Sequence, residues 1–258
     1  FQAEDGIRDF CLSRGLGDVY KRQVVLQSTK KAGGNSLTRI LNSERKDAIS
    51  GSARSAVVFL HGYGANGADL LGLADPLSEH LPDTLFIAPD APECCAGSPF
   101  GFQWFPIPWI DGSSEEESMR GMVAAANDLN AFLDALMVDE DLLPEQVVLF
   151  GFSQGTLLAL HIVPRREDEI AGLVAFSGRL LEPEALVDEV NCKPPILLVH
   201  GNQDDVVPVQ SLPSAVEGLQ KAGFKDVFAH IMKDTGHGIA PDGLSVALAF
   251  IRDKLGFL

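Results

Sequence analysis

The sequence predicts a single α/β domain, with a mainly parallel central sheet flanked by helices. Two observations carry that prediction. Short apolar runs of strand length alternate with amphipathic stretches of helical length, which implies βαβ units and parallel strands. A length of 258 residues with 46% hydrophobic content suits one domain with a sizeable core and excludes a disordered chain. No internal repeat and no second domain is visible.

The elements follow in order. Residues 24–27 read as a short edge strand, and the polar, glycine- and serine-rich segment 30–55 as a hairpin or linker. Strand 56–60 precedes a loop and a helix over 69–81. Strand 85–88 leads into a long aromatic loop, 92–114. A helix over 115–138 follows, with Met119, Met122, Val123, Ala126, Leu129, Phe132, Leu133 and Leu136 at helical spacing. Strand 147–150 runs into a helix ending near Pro164. Strands 173–176 and 196–199, a helix over 212–222, strand 227–232 and a last helix over 241–255 complete the fold.

The most informative stretch is Gly151-Phe152-Ser153-Gln154-Gly155. It joins the apolar strand 147–150 to Thr156-Leu157-Leu158-Ala159-Leu160, so a buried strand breaks sharply into a helix at a serine. Such a turn exposes the serine Oγ, and the flanking glycines permit the crowded backbone; this is the nucleophile elbow of α/β-hydrolases. Partners lie downstream in the order that fold requires. Strand 196–199 runs into His200-Gly201-Asn202-Gln203-Asp204-Asp205, and Gly236-His237-Gly238 lies between the last strand and the last helix. A serine hydroxyl is a weak nucleophile until a base takes its proton, which is the expected part of His237. An acid must then hold the imidazole in the right tautomer and stabilise the imidazolium. Adjacent side chains point apart, so only one aspartate can serve: Asp204 is the expected acid, and Asp205 is expected to shape the turn.

The segment His61-Gly62-Tyr63-Gly64 after strand 56–60 lets backbone approach a reacting carbonyl. The tetrahedral oxyanion needs two N–H donors, expected from the backbone of Tyr63 and of Gln154, the latter at a helix N-terminus. His61 is expected to pin this loop. The loop 97–109 holds both tryptophans of the chain, and Trp104 and Phe105 are the candidates for walling an apolar acyl pocket. His80, His161, His200 and His230 lack a catalytic context, and His200 is expected to be structural.

A net charge of −16 argues against nucleic acid or an anionic membrane as partner. No apolar run approaches the about 18 residues of a membrane span. Cys11, Cys94, Cys95 and Cys192 show no metal-ligand spacing, so no metal is expected, and reduced thiols in the cytoplasm are the expectation. No secretory signal pattern opens the chain. Residues 1–23 resemble the translated sequencing-adaptor read-through found in metagenomic gene predictions. They are expected to be a non-native or disordered leader, with the hydrolase domain over 24–258.

Taken together, LHGYGANG, the GFQWFPIPW loop, GFSQG, HGNQDDVVP and GHGIAPDG resemble the phospholipase/carboxylesterase family of α/β-hydrolases, in particular its bacterial carboxylesterase branch. The resemblance spans about residues 55–258. It implies a triad of Ser153, Asp204 and His237, oxyanion donors on Tyr63 and Gln154, and ester hydrolysis through an acyl-enzyme without cofactor or metal. Members of the family usually carry proline after the acid, where this chain has Asp205. Short-to-medium acyl esters are the expected small-molecule substrates, with lysophospholipase or acyl-protein thioesterase activity as the alternative and a non-catalytic binding protein as the remote one. Some members pair through surfaces near the active site, so a homodimer is among the expectations.

Overall fold

A computed structural model of the chain describes residues 38–95 and 100–257. The expected strand 24–27 and the leader 1–23 lie outside the described residues. Seven strands form one sheet in the order β1-β3-β2-β6-β7-β8-β9. They are β1 (Ser43–Lys46), β2 (Ser55–Leu60), β3 (Thr84–Pro89), β6 (Val147–Phe152), β7 (Gly172–Phe176), β8 (Ile196–Gly201) and β9 (Val227–Met232). All neighbours run parallel except β1, which pairs antiparallel with β3. A two-stranded hairpin, β4 (Glu93–Cys94) with β5 (Phe102–Gln103), stands apart from the sheet.

Helices cover both faces, and the inner strands are apolar on both sides for that reason. Ala56, Val58 and Leu60 of β2 face α4 (Glu115–Asp139), α5 (Gln154–Ile162) and α7 (Ser211–Lys221). Val57 and Phe59 point the other way, toward α1 (Gly67–Leu71), α2 (Ala74–Ser78) and α8 (Pro241–Lys254). On that second face an aromatic row crosses four strands. Phe59 stacks with Phe86 at 6.0 Å between ring centroids and meets Phe150 edge-on at 5.2 Å, and Phe150 stacks with Phe176 at 5.0 Å. Each such pair adds about 1 kcal/mol beyond its buried area.

The first two departures from expectation have local causes. Within the supposed linker 30–55, β1 forms the sheet edge; Arg45 pairs there with Glu140 and Asp47, and the polar composition of a half-exposed edge hides its strand character. The helix expected over 69–81 is two short ones. Pro76 has no N–H to give the Gly72 carbonyl, and the chain tightens to Leu73 N–H to Leu70 O and Asp75 N–H to Gly72 O. The aromatic loop contains the β4–β5 hairpin and α3 (Pro108–Asp111), and α6 (Pro183–Glu189) occupies a stretch where no helix was expected.

Candidate active site

The site forms at the carboxyl ends of β2, β6, β7 and β8. Ser153 follows β6 and caps α5 with φ 53° and ψ −115°, a strained conformation for a residue with a side chain. The glycines around it are dictated by contact. A Cβ on Gly155 would lie 2.0 Å from the Leu60 carbonyl oxygen, and one on Gly151 2.8 Å from the Thr156 backbone. The strained turn is anchored by Ser153 N–H donating to Phe176 O at 3.0 Å and Thr156 Oγ1 donating to the same oxygen at 2.7 Å.

His237 reaches across from the loop after β9. Its Nε2 lies 2.9 Å from Ser153 Oγ and its Nδ1 2.8 Å from Asp204 Oδ2. With the carboxylate facing Nδ1, the proton sits on that nitrogen and Nε2 is free to accept from the serine hydroxyl. The ring packs on Phe152 at 5.0 Å between centroids. Its loop runs so close to β8 that a Cβ on Gly201 would meet Gly236 O at 2.3 Å. Asp204 has no exposed side-chain surface. Its Oδ1 accepts from the N–H groups of Val206 and Val207 at 3.0 and 2.8 Å, leaving Oδ2 for the histidine. Burial opposes ionisation of this carboxyl. The bonds from His200 and His237, the charge of His237 and the Val207 N–H outweigh it and hold the acid well below the usual carboxylate range. Asp205 is exposed, and His237 Nδ1 pairs with Asp204 instead.

His200 occupies a position that its sequence context concealed. It is buried, its Nε2 lies 2.8 Å from Val207 O and 3.3 Å from Asp204 Oδ2, and it therefore meets the same carboxylate oxygen as His237. Only the fold, by turning 204–207 back over the end of β8, makes that contact.

The loop after β2 lies beside the serine: a Cβ on Gly62 would touch Ser153 Cβ at 3.3 Å. Gly64 N–H donates to Phe102 O and Phe102 N–H to Ala65 O, tying this loop to the aromatic segment. Among the described residues, neither the Tyr63 nor the Gln154 N–H finds an acceptor outside its own regular structure. The Tyr63 hydroxyl is pushed up to about 12 by burial and by the neighbouring Cys95 thiol, so it is a neutral neighbour of the site. His61 accepts from Ala91 N–H on Nε2 at 2.9 Å, and its Nδ1 lies 2.7 Å from Gly62 O, which pins the loop.

Trp104 and Phe105 are both buried in the core cluster under α4. Trp104 Nε1 donates to His61 O at 2.9 Å. The Gln154 side chain clamps both residues, with Oε1 accepting from Trp104 N–H at 3.0 Å and Nε2 donating to Phe105 O at 2.7 Å. Both side chains are buried, and the exposed aromatics of this segment are Phe100 and Trp109.

A sequence profile described as phospholipase/carboxylesterase matches residues 47–255. The chain belongs to the phospholipase/carboxylesterase family. It is 30% identical over 226 residues to acyl-protein thioesterase 1 of Saccharomyces cerevisiae, covering 83% of this chain and 99% of that protein. It is 26% identical over 203 residues to esterase YpfH of Escherichia coli, covering 78% and 83% respectively. The crystal structure of esterase PE8 superposes with a TM-score of 0.78 at 42% identity, covering 83% of this chain and 99% of that one. As a member of this family the protein is a hydrolase, and its relatives point to ester hydrolysis. Among the described residues no helix is long and apolar enough to cross a membrane.

Proposed function

We propose that the protein is a serine carboxylic-ester hydrolase working through an acyl-enzyme on short-to-medium acyl esters, with Ser153, His237 and Asp204 as its triad. The unbroken chain of hydrogen bonds from Asp204 through His237 to Ser153 carries this reading. Ser153 Oγ attacks the ester carbonyl as His237 Nε2 takes the hydroxyl proton. The carbonyl oxygen becomes an oxyanion held by the N–H groups of Tyr63 and Gln154, each contributing roughly 3–4 kcal/mol to lowering the barrier. His237 then passes the proton to the leaving alcohol as the C–O bond breaks. Water repeats the sequence on the acyl-enzyme and releases the acid. Residues 24–258 are read as one catalytic domain, a reading supported by the family match over 47–255.

The yeast relative, named a thioesterase and matched over 99% of its length, favours a second reading in which the scissile bond is a thioester. Hydrolysis of p-nitrophenyl esters from acetate to palmitate, with Ser153→Ala alongside, separates the two. Activity greatest on short chains and lost in the variant is the expected result. Activity that rises only with long chains moves the assignment to the thioesterase or lysophospholipase reading. A folded protein inactive on every ester sinks the simple-esterase reading.

A further inference from the structure

The charge distribution around the cleft extends this ester-hydrolase reading to the kind of ester. Arg54, Arg179, Lys193, Lys225 and Arg252 have no carboxylate within ion-pair distance among the described residues. Arg54, Lys193 and Lys225 each precede a strand, and Arg252 lies in the last turn of α8, so all four belong to the end of the sheet away from Ser153. Arg179 alone follows a strand. It comes three residues after Phe176, whose carbonyl anchors Ser153, so its Cα lies within about 11 Å of that residue. The intervening Gly178 packs so tightly on the first turn of the nucleophile helix that a Cβ there would meet Thr156 Cγ2 at 2.3 Å.

Arg179 is also held in place. Its guanidinium carbon lies 5.0 Å from the centre of the Trp109 ring, in cation–π range. Trp109 sits on α3, which is fixed by the Asp111 carboxylate accepting from Ile107 N–H and Ser113 N–H at 2.9 Å each. The same segment is clamped to Gln154. The contact therefore bridges two segments on either side of the nucleophile strand, one beyond β3 and the other beyond β7. Both side chains remain open to solvent, with Trp109 67% exposed. A guanidinium stacked on an indole keeps its N–H edge free, and that planar edge matches carboxylate and phosphate oxygens. In a chain of net charge −16, which disfavours anions at a distance, an uncompensated cation at the cleft acts by contact and not by long-range attraction.

We propose that Arg179, braced by Trp109 at the mouth of the cleft, binds an oxyanion carried by the substrate, so that the ester favoured by this enzyme bears a carboxylate or phosphate besides its scissile bond. Two matched pairs test it: monomethyl adipate against methyl hexanoate, and 1-hexanoylglycerol 3-phosphate against 1-hexanoylglycerol. In at least one pair the anionic ester is expected to be preferred. There Arg179→Gln should lower the anionic-to-neutral ratio of kcat/KM about tenfold, the scale of one charge-assisted hydrogen bond. Arg54→Gln removes the same charge at the far end and should leave the ratio alone. The responding pair identifies the source of the oxyanion, carboxylate or phosphate. A ratio unmoved by Arg179→Gln in both pairs overturns the proposal while leaving the ester-hydrolase reading intact. Should the wild type cleave no ester at all, that reading falls, and calorimetric binding of monomethyl adipate to Ser153→Ala, with and without Arg179→Gln, still decides the role of Arg179.

Discussion

His61 and His237 sit in neighbouring loops at the same end of the sheet, and each has both ring nitrogens hydrogen-bonded. The partners differ in kind. His61 is held between the Gly62 carbonyl and the Ala91 N–H, with no exposed surface. Burial lowers its pKa to about 4, despite the Gly62 carbonyl and the distant Asp69 charge, which act the other way. His237 is held between a carboxylate and a hydroxyl, at the edge of solvent. The one proton of neutral His61 goes to the Gly62 carbonyl, and a second would face the Ala91 N–H on Nε2, whereas His237 has the carboxylate of Asp204 on Nδ1. The same ring thus serves as a rivet in one loop and, in the proposed mechanism, as a proton carrier in the other, and the ionisable partner makes the difference.

Removing that partner is the strongest way to break the contrast. Asp204→Asn should lower kcat by roughly 10⁴-fold, because an amide favours the wrong tautomer of His237. Asp205→Asn, on the exposed neighbour, should change kcat less than a few-fold. Steady-state kinetics on a single ester compares the two, and equal losses would remove Asp204 from its assigned role.

The rivet is tested by acid. The pKa of His61 falls from 6.5 when unfolded to about 4 when folded, so its contribution to stability is complete above 6.5 and lost as pH falls toward 4. Each pH unit in that window removes up to about 1.4 kcal/mol. His161, likewise lowered to about 4 by burial and by Arg165, adds a smaller loss of the same sign because it is half-buried. Urea unfolding at pH 6.5 and pH 4.5 should therefore show a marked acid destabilisation, and His61→Gln should flatten it. A variant as acid-sensitive as the wild type would show that His61 is not held neutral.

A smaller effect is expected at His200, which touches the acid but not the base. His200→Ala should lower kcat about tenfold with KM little changed, on the scale of one hydrogen bond to a charged group. His200→Gln, which can still donate to Asp204, should recover part of the loss. A change confined to thermal stability would mark His200 as a packing residue only.

The comparison also shows which features could be read from the chain. The parallel strands, the elbow and the residues that meet at Ser153 announce themselves because their causes are local: apolar runs, paired glycines, and an aspartate and a histidine just past strand ends. Edge strand β1 does not, since a strand with one neighbour can be as polar as a linker. The broken helix at Gly72–Pro76 hinges on one missing N–H inside an otherwise helical pattern. Trp104 reads as a pocket wall from its neighbours, yet its indole N–H is spent on His61 O and its ring lies in the core. His200 and Arg179 depend wholly on tertiary contact: one meets Asp204 only when 204–207 folds back, the other meets Trp109 from 70 positions away.

Gly155 has a consequence for anyone wishing to re-engineer this enzyme. Its missing side chain lets the nucleophile helix rest directly on the Leu60 carbonyl, one residue ahead of the loop that carries Tyr63. In the proposed mechanism, the attacking atom and the oxyanion donors are therefore coupled through this one backbone contact. A larger nucleophile or a widened elbow would shift the donors by the same amount, so new chemistry here requires remodelling both at once.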